Sequence, residues 1–139
     1  DFAKEDLLLV VEFLTYPMPG ESAEVYKQKF PSLIECGSKI CLELGSKVLK
    51  IPYPGTPQAC ANITKMAGHV PWSVLSAGQV EISLQNGASG VIAGRSLWKD
   101  CVSLDRAEQK QLILTRAVPR LKEIQALLDK YCRKSVMTA

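Results

Sequence analysis

Apolar residues gather in four short, nearly unbroken runs, at positions 7–14, 47–51, 72–76 and 90–94, each bounded by polar or turn-forming residues. Their length and β-branched character predict buried strands. Along the second run Val48 and Lys50 share one face while Leu49 and Ile51 share the other. Both faces are mostly apolar, which predicts a parallel strand covered on both sides.

The segments between the runs have helical periodicity. Residues 22–30 and 32–44 predict two helical pieces divided by Pro31, with Gly45 as a stop. Thr56-Pro57, residues 58–67 and Gly68 form a capped helix with proline in the first turn and glycine at the end. Residues 80–86 predict a short helix. Residues 104–131 predict a long one, with Leu121, Ile124, Leu128 and Tyr131 on one stripe and a break or kink at Pro119.

Strands alternating with helices imply a parallel sheet with right-handed crossovers, either doubly wound or part of a (β/α)8 barrel. No GxGxxG turn follows the first run, which weakens the dinucleotide-binding alternative. Glu12, Lys50, Ser76 and Arg95 cluster at the C-terminal ends of the runs, where barrels keep their chemistry, so the barrel is favoured.

Composition narrows the field. The chain has 139 residues, 47% of them hydrophobic, enough for one globular core, and is expected to form a single domain over 1–139. A net charge of +3 is too small and dispersed to indicate nucleic acid or a membrane surface. No apolar stretch approaches the roughly 20 residues of a membrane span, and residues 1–6 show no signal-peptide pattern. Five cysteines, odd in number and without a CxxC pair, suit a reducing cytoplasm better than a disulfide framework. The single histidine, His69, reads as a turn residue, and no metal or other cofactor is expected.

Lys50 is the first candidate for chemistry. A lysine in a dry strand loses hydration, which lowers its pKa and favours the neutral amine that attacks carbonyls. The bland alternative is a strand-end lysine that snorkels to water. Glu12 shares its strand face with Leu8 and Val10, so it is expected to point inward as a carboxyl group able to shuttle protons. Its alternative is a surface ion pair. Ser76-Ala77-Gly78 and Gly94-Arg95 end the last two runs, and small residues, exposed amides and an arginine suit an anion. In such barrels the loops after strands seven and eight often form a phosphate site. An anion grip, an amine and a carboxyl group together fit a retro-aldol reaction through an iminium.

The residues that carry these features also carry a resemblance. Val70-Pro71-Trp72-Ser73-Val74-Leu75-Ser76-Ala77-Gly78 and Asn86-Gly87-Ala88-Ser89-Gly90-Val91-Ile92-Ala93-Gly94-Arg95-Ser96-Leu97-Trp98 resemble the tagatose-bisphosphate aldolase family, nearest its sulfofructose-phosphate aldolase branch. Val11 to Tyr16 looks like that family's fifth strand and Val48 to Pro52 like its sixth, so the likeness spans about residues 7–131. It implies a metal-independent class I aldolase on a (β/α)8 barrel. Lys50 matches the Schiff-base lysine and Glu12 the acid/base glutamate. Ser76 and Gly78 match the loop after strand seven, and Gly94 and Arg95 the grip on phosphate or sulfonate.

Two departures shape the expectation. Four strands are present where a barrel needs about eight, so the fold expected is α/β, the C-terminal half of a (β/α)8 barrel with about four βα units. Only residues 79–86 separate Gly78 from Gly87, short for a crossover, which implies missing sequence or a collapsed connection. The expected function is cleavage of a ketose phosphate or bisphosphate to dihydroxyacetone phosphate and an aldehyde. The alternatives are a catalytically incomplete half-barrel serving as a phosphate-binding or interaction module, and an isomerase-type barrel using Glu12 alone. A half-barrel exposes strand edges and core, so a homo-oligomer, or docking with a separate N-terminal half, is expected.

Overall fold

The structure is a computed structural model that describes residues 4–5, 7–75 and 79–132. Four strands form one sheet: β1 (Val10–Glu12), β2 (Val48–Pro52), β3 (Trp72–Leu75) and β4 (Gly90–Ile92). They are all parallel and lie in chain order, so β1 and β4 are the two edges. A sheet built by adding each strand beside its predecessor is the winding of a barrel rather than of a sheet that reverses at a switch point. The fold is α/β, about half of a (β/α)8 barrel.

Helices α1 (Ala23–Glu43), α2 (Pro57–Ala67), α3 (Val80–Gln85) and α6 (Val118–Tyr131) pack side by side in that order. The short α4 (Arg95–Trp98) and α5 (Arg106–Leu112) lie between β4 and α6. Ser22 accepts a hydrogen bond from the Val25 amide and Thr56 one from the Ala59 amide, each satisfying a free donor of the first turn. Gly68 ends α2 with φ of 61°, a conformation that favours glycine.

Leu49, Ile51, Trp72 and Val74 point from the sheet to the helix layer and are wholly or almost wholly buried, with Val11 and Val91 packed beside them. Ile34, Cys60 and Ile63 meet them from α1 and α2. Trp72 is locked in place: its Nε1–H donates to Thr64 Oγ1 (2.9 Å), which donates in turn to the Asn86 carbonyl (2.6 Å). One side chain of α2 thus ties β3 to the turn before β4.

The prediction of a sheet covered on both sides fails. Val10, Glu12, Val48, Lys50, Ser73, Leu75 and Ile92 lie on the opposite face, which no helix among the described residues covers, and all are half-buried or exposed. The apolar residues on both faces of β2 mark a barrel wall, helices outside and interior inside, with only half the wall present.

Two further predictions need correction. Pro31 does not divide α1, which runs through it; its ring packs near Gly55. At Pro119, by contrast, the α register is interrupted, and the proline lies in the first turn of α6. A π-helical turn over Ile113–Ala117 precedes it, in which the Val118 amide bonds the Ile113 carbonyl, so the chain enters the proline already in the wider register. Leu121 is 54% exposed and stands apart from the Ile124, Leu128 and Tyr131 stripe. Among the described residues of the short connection between β3 and β4, α3 supplies six, and the two strands pair in parallel.

Candidate functional site

Because the strands are parallel, their C-terminal ends gather at one rim, and there a cleft of about 570 Å³ opens on the uncovered face. Its walls include Glu12, Leu14, Lys50, Leu75, Arg95 and Trp98. Four of the residues singled out from the sequence (Glu12, Lys50, Gly94 and Arg95) therefore line one cavity. The other two, Ser76 and Gly78, lie outside the described residues.

Glu12 and Lys50 are register partners on adjacent strands and point to the same face. The strand pairing continues past them, the Phe13 amide donating to the Lys50 carbonyl at 3.1 Å. Phe13 points the other way, its ring seated on Gly37 of α1, where a Cβ would fall inside the ring. The glycine thereby lets β1 settle close to the helix layer. From this placement Lys50 Nζ donates to Glu12 Oε2 at 2.7 Å. The lysine side chain is 20% exposed and the glutamate 40%. Neither side chain is fully buried, since no described residue forms a wall opposite this face.

Chemically, an ammonium in contact with a carboxylate has a nearby acceptor for the proton it must lose before attacking a carbonyl carbon. The same carboxyl group can return a proton to a departing hydroxyl. Across the cleft Arg95 opens α4 and is exposed. Its guanidinium has no hydrogen-bond partner among the described residues, which leaves its fork of donors open to an anion.

The sequence reading missed three contributors. Trp98, 48% exposed, presents its indole to the cleft. Ser73 sits beside Lys50 in the strand register, on the side away from Glu12. Beneath the arginine, Arg120 of α6 donates to the Leu97 carbonyl at 2.9 Å and grips Asp100 with two bonds of 2.6 and 2.8 Å, while Arg116 reaches the same carboxylate. These contacts hold α4, and Arg95 with it, against the last helix. The guanidinium of Arg120 keeps the Asp100 carboxyl far below the usual carboxylate range. Arg120 lies one helical turn before Ile124 of the predicted stripe, but its acidic partner Asp100 is 20 residues away in sequence.

Among the described residues no group of three or more His, Cys, Asp or Glu side chains could hold a metal, and no helix is long and apolar enough to cross a membrane. His69 is exposed in the turn after α2.

With this geometry in view, the similarities to known proteins are specific. No protein-family profile matches the chain. A class 1 fructose-bisphosphate aldolase of Thermoproteus tenax is 36% identical over 121 residues, 77% of this chain and 43% of the relative. One of Halobacterium salinarum is 31% identical over 108 residues, 70% of this chain and 39% of the relative.

Among solved structures, an archaeal fructose 1,6-bisphosphate aldolase superposes with a TM-score of 0.57 at 28% identity, covering 84% of this chain and 48% of that one. Another, with its catalytic lysine covalently bound to the carbinolamine intermediate of the substrate, gives 0.64 at 26% identity, covering 91% and 47%. The homologues of this chain are thus Schiff-base aldolases of class I, carbon–carbon lyases on a (β/α)8 barrel. The chain spans less than half the length of each of these relatives.

Proposed function

We propose that this chain is the catalytic half of a class I aldolase, with Lys50 as the amine that forms the imine. The observation that carries the reading is the 2.7 Å pairing of Lys50 with Glu12 in the cleft that also holds Arg95. In this mechanism Glu12 takes the ammonium proton, and Nζ attacks the ketone carbon of the substrate. Loss of water from the carbinolamine gives the iminium, with Glu12 as proton donor. Glu12, again a carboxylate, takes the proton of the hydroxyl beside the scissile bond as the iminium accepts that bond's electron pair, so an aldehyde departs and an enamine remains. Protonation of the enamine at carbon by the same carboxyl group, followed by addition of water to the iminium so formed, releases the ketone phosphate and restores Lys50. Arg95 and Gly94, with Ser76 and Gly78 of the preceding loop, hold the anionic end of the sugar.

The substrate class is a ketose phosphate or bisphosphate, of which dihydroxyacetone phosphate is the retained product. The first set to assay comprises fructose 1,6-bisphosphate, named in the relatives, and the tagatose-bisphosphate and sulfofructose-phosphate types suggested by the GASG and AGR segments. Borohydride reduction in the presence of dihydroxyacetone phosphate should trap an adduct on Lys50, located by peptide mass, and Lys50→Ala should abolish it. A folded protein with a complete barrel that yields no adduct excludes the proposal.

The open wall of the cleft favours one second reading, a phosphate-binding module without turnover. That reading predicts phosphate binding which survives Lys50→Ala and is lost in Arg95→Ala, with no carbon–carbon cleavage by the unmodified chain.

A further inference from the structure

Arg95 stands on a helix too short to hold itself. α4 is a single turn of four residues, with no side-chain cap at its start and no buried residue along it. Its own bonds run from the Leu97 amide to the Gly94 carbonyl at 2.9 Å and from the Lys99 amide to the Arg95 carbonyl at 2.8 Å. A first turn fixes more dihedral angles than its hydrogen bonds repay, so its support must come from packing outside it. Here that support follows Arg95 in the chain. The Arg120 fork closes on the Asp100 carboxylate with both nitrogens, and Nη1 also satisfies the Leu97 carbonyl, an acceptor at the end of the turn. Arg116 adds bonds of 3.4 and 3.3 Å to the carbonyl and carboxylate of Asp100. Cys101, 2% exposed, fastens the next position, its amide bonding the Trp98 carbonyl and its thiol the Leu112 carbonyl. Asp100 and Arg120 are not among the described residues that line the cleft, whereas Arg95 is.

We propose that Asp100 and Arg120 are positioning residues for the anion grip, holding the turn that aims Arg95 into the cleft. An anion then meets a guanidinium whose backbone is already fixed, and binding does not have to order a loose turn. The clamp stays closed throughout the neutral range, because Arg120 holds the Asp100 carboxyl far below the usual carboxylate range. Two simpler accounts predict other behaviour. Coulomb repulsion alone makes Asp100 unfavourable to a nearby anion, so its removal would tighten binding. A general loosening of the fold would impair the Lys50 side of the cleft as much as the Arg95 side. The inference rests on the reading of Arg95 as the anion's partner, and all its contacts lie within the described residues.

The test uses a folded protein that carries this chain in a complete barrel. The probes are inorganic phosphate, titrated calorimetrically, and dihydroxyacetone phosphate or unphosphorylated dihydroxyacetone in borohydride trapping. Asp100→Ala should weaken phosphate binding about two- to ten-fold, the effect of ordering one long side chain on binding. It should raise the dihydroxyacetone phosphate concentration for half-maximal trapping by the same factor and leave the maximal rate alone. With dihydroxyacetone, which offers Arg95 no anion, the variant and the unmodified protein should trap alike. Tighter or unaltered phosphate binding in Asp100→Ala, or an equal impairment with dihydroxyacetone, would overturn the proposal. Where Asp100→Ala does not fold, Asp100→Asn, which keeps the shape and one of the two bonds, is held to the same outcomes. Arg95→Ala that binds phosphate as well as the unmodified protein would instead refute the anion reading of Arg95. An unmodified protein that forms no adduct would refute the aldolase reading, and the phosphate titration alone would then decide the role of Asp100.

Discussion

Lys50 and Glu12 show how far a strand pattern locates chemistry and where it stops. Alternation along β1 predicted an inward Glu12 but left Lys50 in a run apolar on both faces; the parallel register is what sets the two on one face. The structure places them in contact as a partly exposed ion pair, where the lone sequence pattern suggested a dry amine. An ion pair changes the first step expected of the site, since the carboxylate must take a proton before the amine can attack. In a complete barrel, Glu12→Gln should slow borohydride trapping at Lys50 by about 10²- to 10⁴-fold, the usual worth of a positioned proton-transfer group, with little change in phosphate binding. Asp100 offers a second test at this scale. Its native pKa is depressed by Arg120, so the stabilisation is full at neutral pH, begins to fade below the unfolded value near 4, and is lost only well below it. Asp100→Asn should therefore lower thermal stability at pH 7, and the gap from the unmodified chain should narrow as melting curves are taken at successively lower pH.

At the level of elements, caps and breakers were the most legible features, with Pro31 as the exception. Thr56-Pro57 and Gly68 bound α2 as their chemistry requires. Pro31 was read as an interruption because proline removes an amide donor, yet it lies inside α1. Pro119, by contrast, does sit at a change of helical register, in the first turn of α6. Neither the packing of Pro31 beside Gly55 nor the π register before Pro119 leaves a local signature in sequence. Thr64 is a similar case. Nothing in its neighbourhood marks it, although it links α2, β3 and the turn at Asn86-Gly87. Thr64→Val keeps the shape but strands the Trp72 indole N–H and the Asn86 carbonyl. Chemical denaturation should show a loss of about 1–3 kcal/mol, the cost of leaving buried polar partners unpaired.

For the whole molecule, strand number, order and direction followed from apolar runs alternating with helices, because parallel pairing of neighbours is the simplest way to bury such runs. The rim that gathers Glu12, Lys50 and Arg95 followed from the same topology. What one side of the sheet faces did not follow, since an apolar interior position looks the same in sequence whether its opposing wall is present or not. The support beneath Arg95 was equally hidden, because Asp100 and Arg120 meet through tertiary packing rather than local spacing.

The sequential strand order has a kinetic consequence. Each pairing closes a loop whose length is the spacing between neighbouring strands, and that spacing shrinks from β1–β2 through β2–β3 to β3–β4. Loop-closure entropy rises with length, so the sheet should grow from the β3–β4 end and take on β1 last. The amides of β1, edge-bound and held by one neighbour, should exchange with deuterium sooner than those of Leu49 and Ile51 in native-state experiments. A full chain refolding from denaturant would then hold Arg95 and Lys50 at the rim before Glu12 arrives to complete the ion pair.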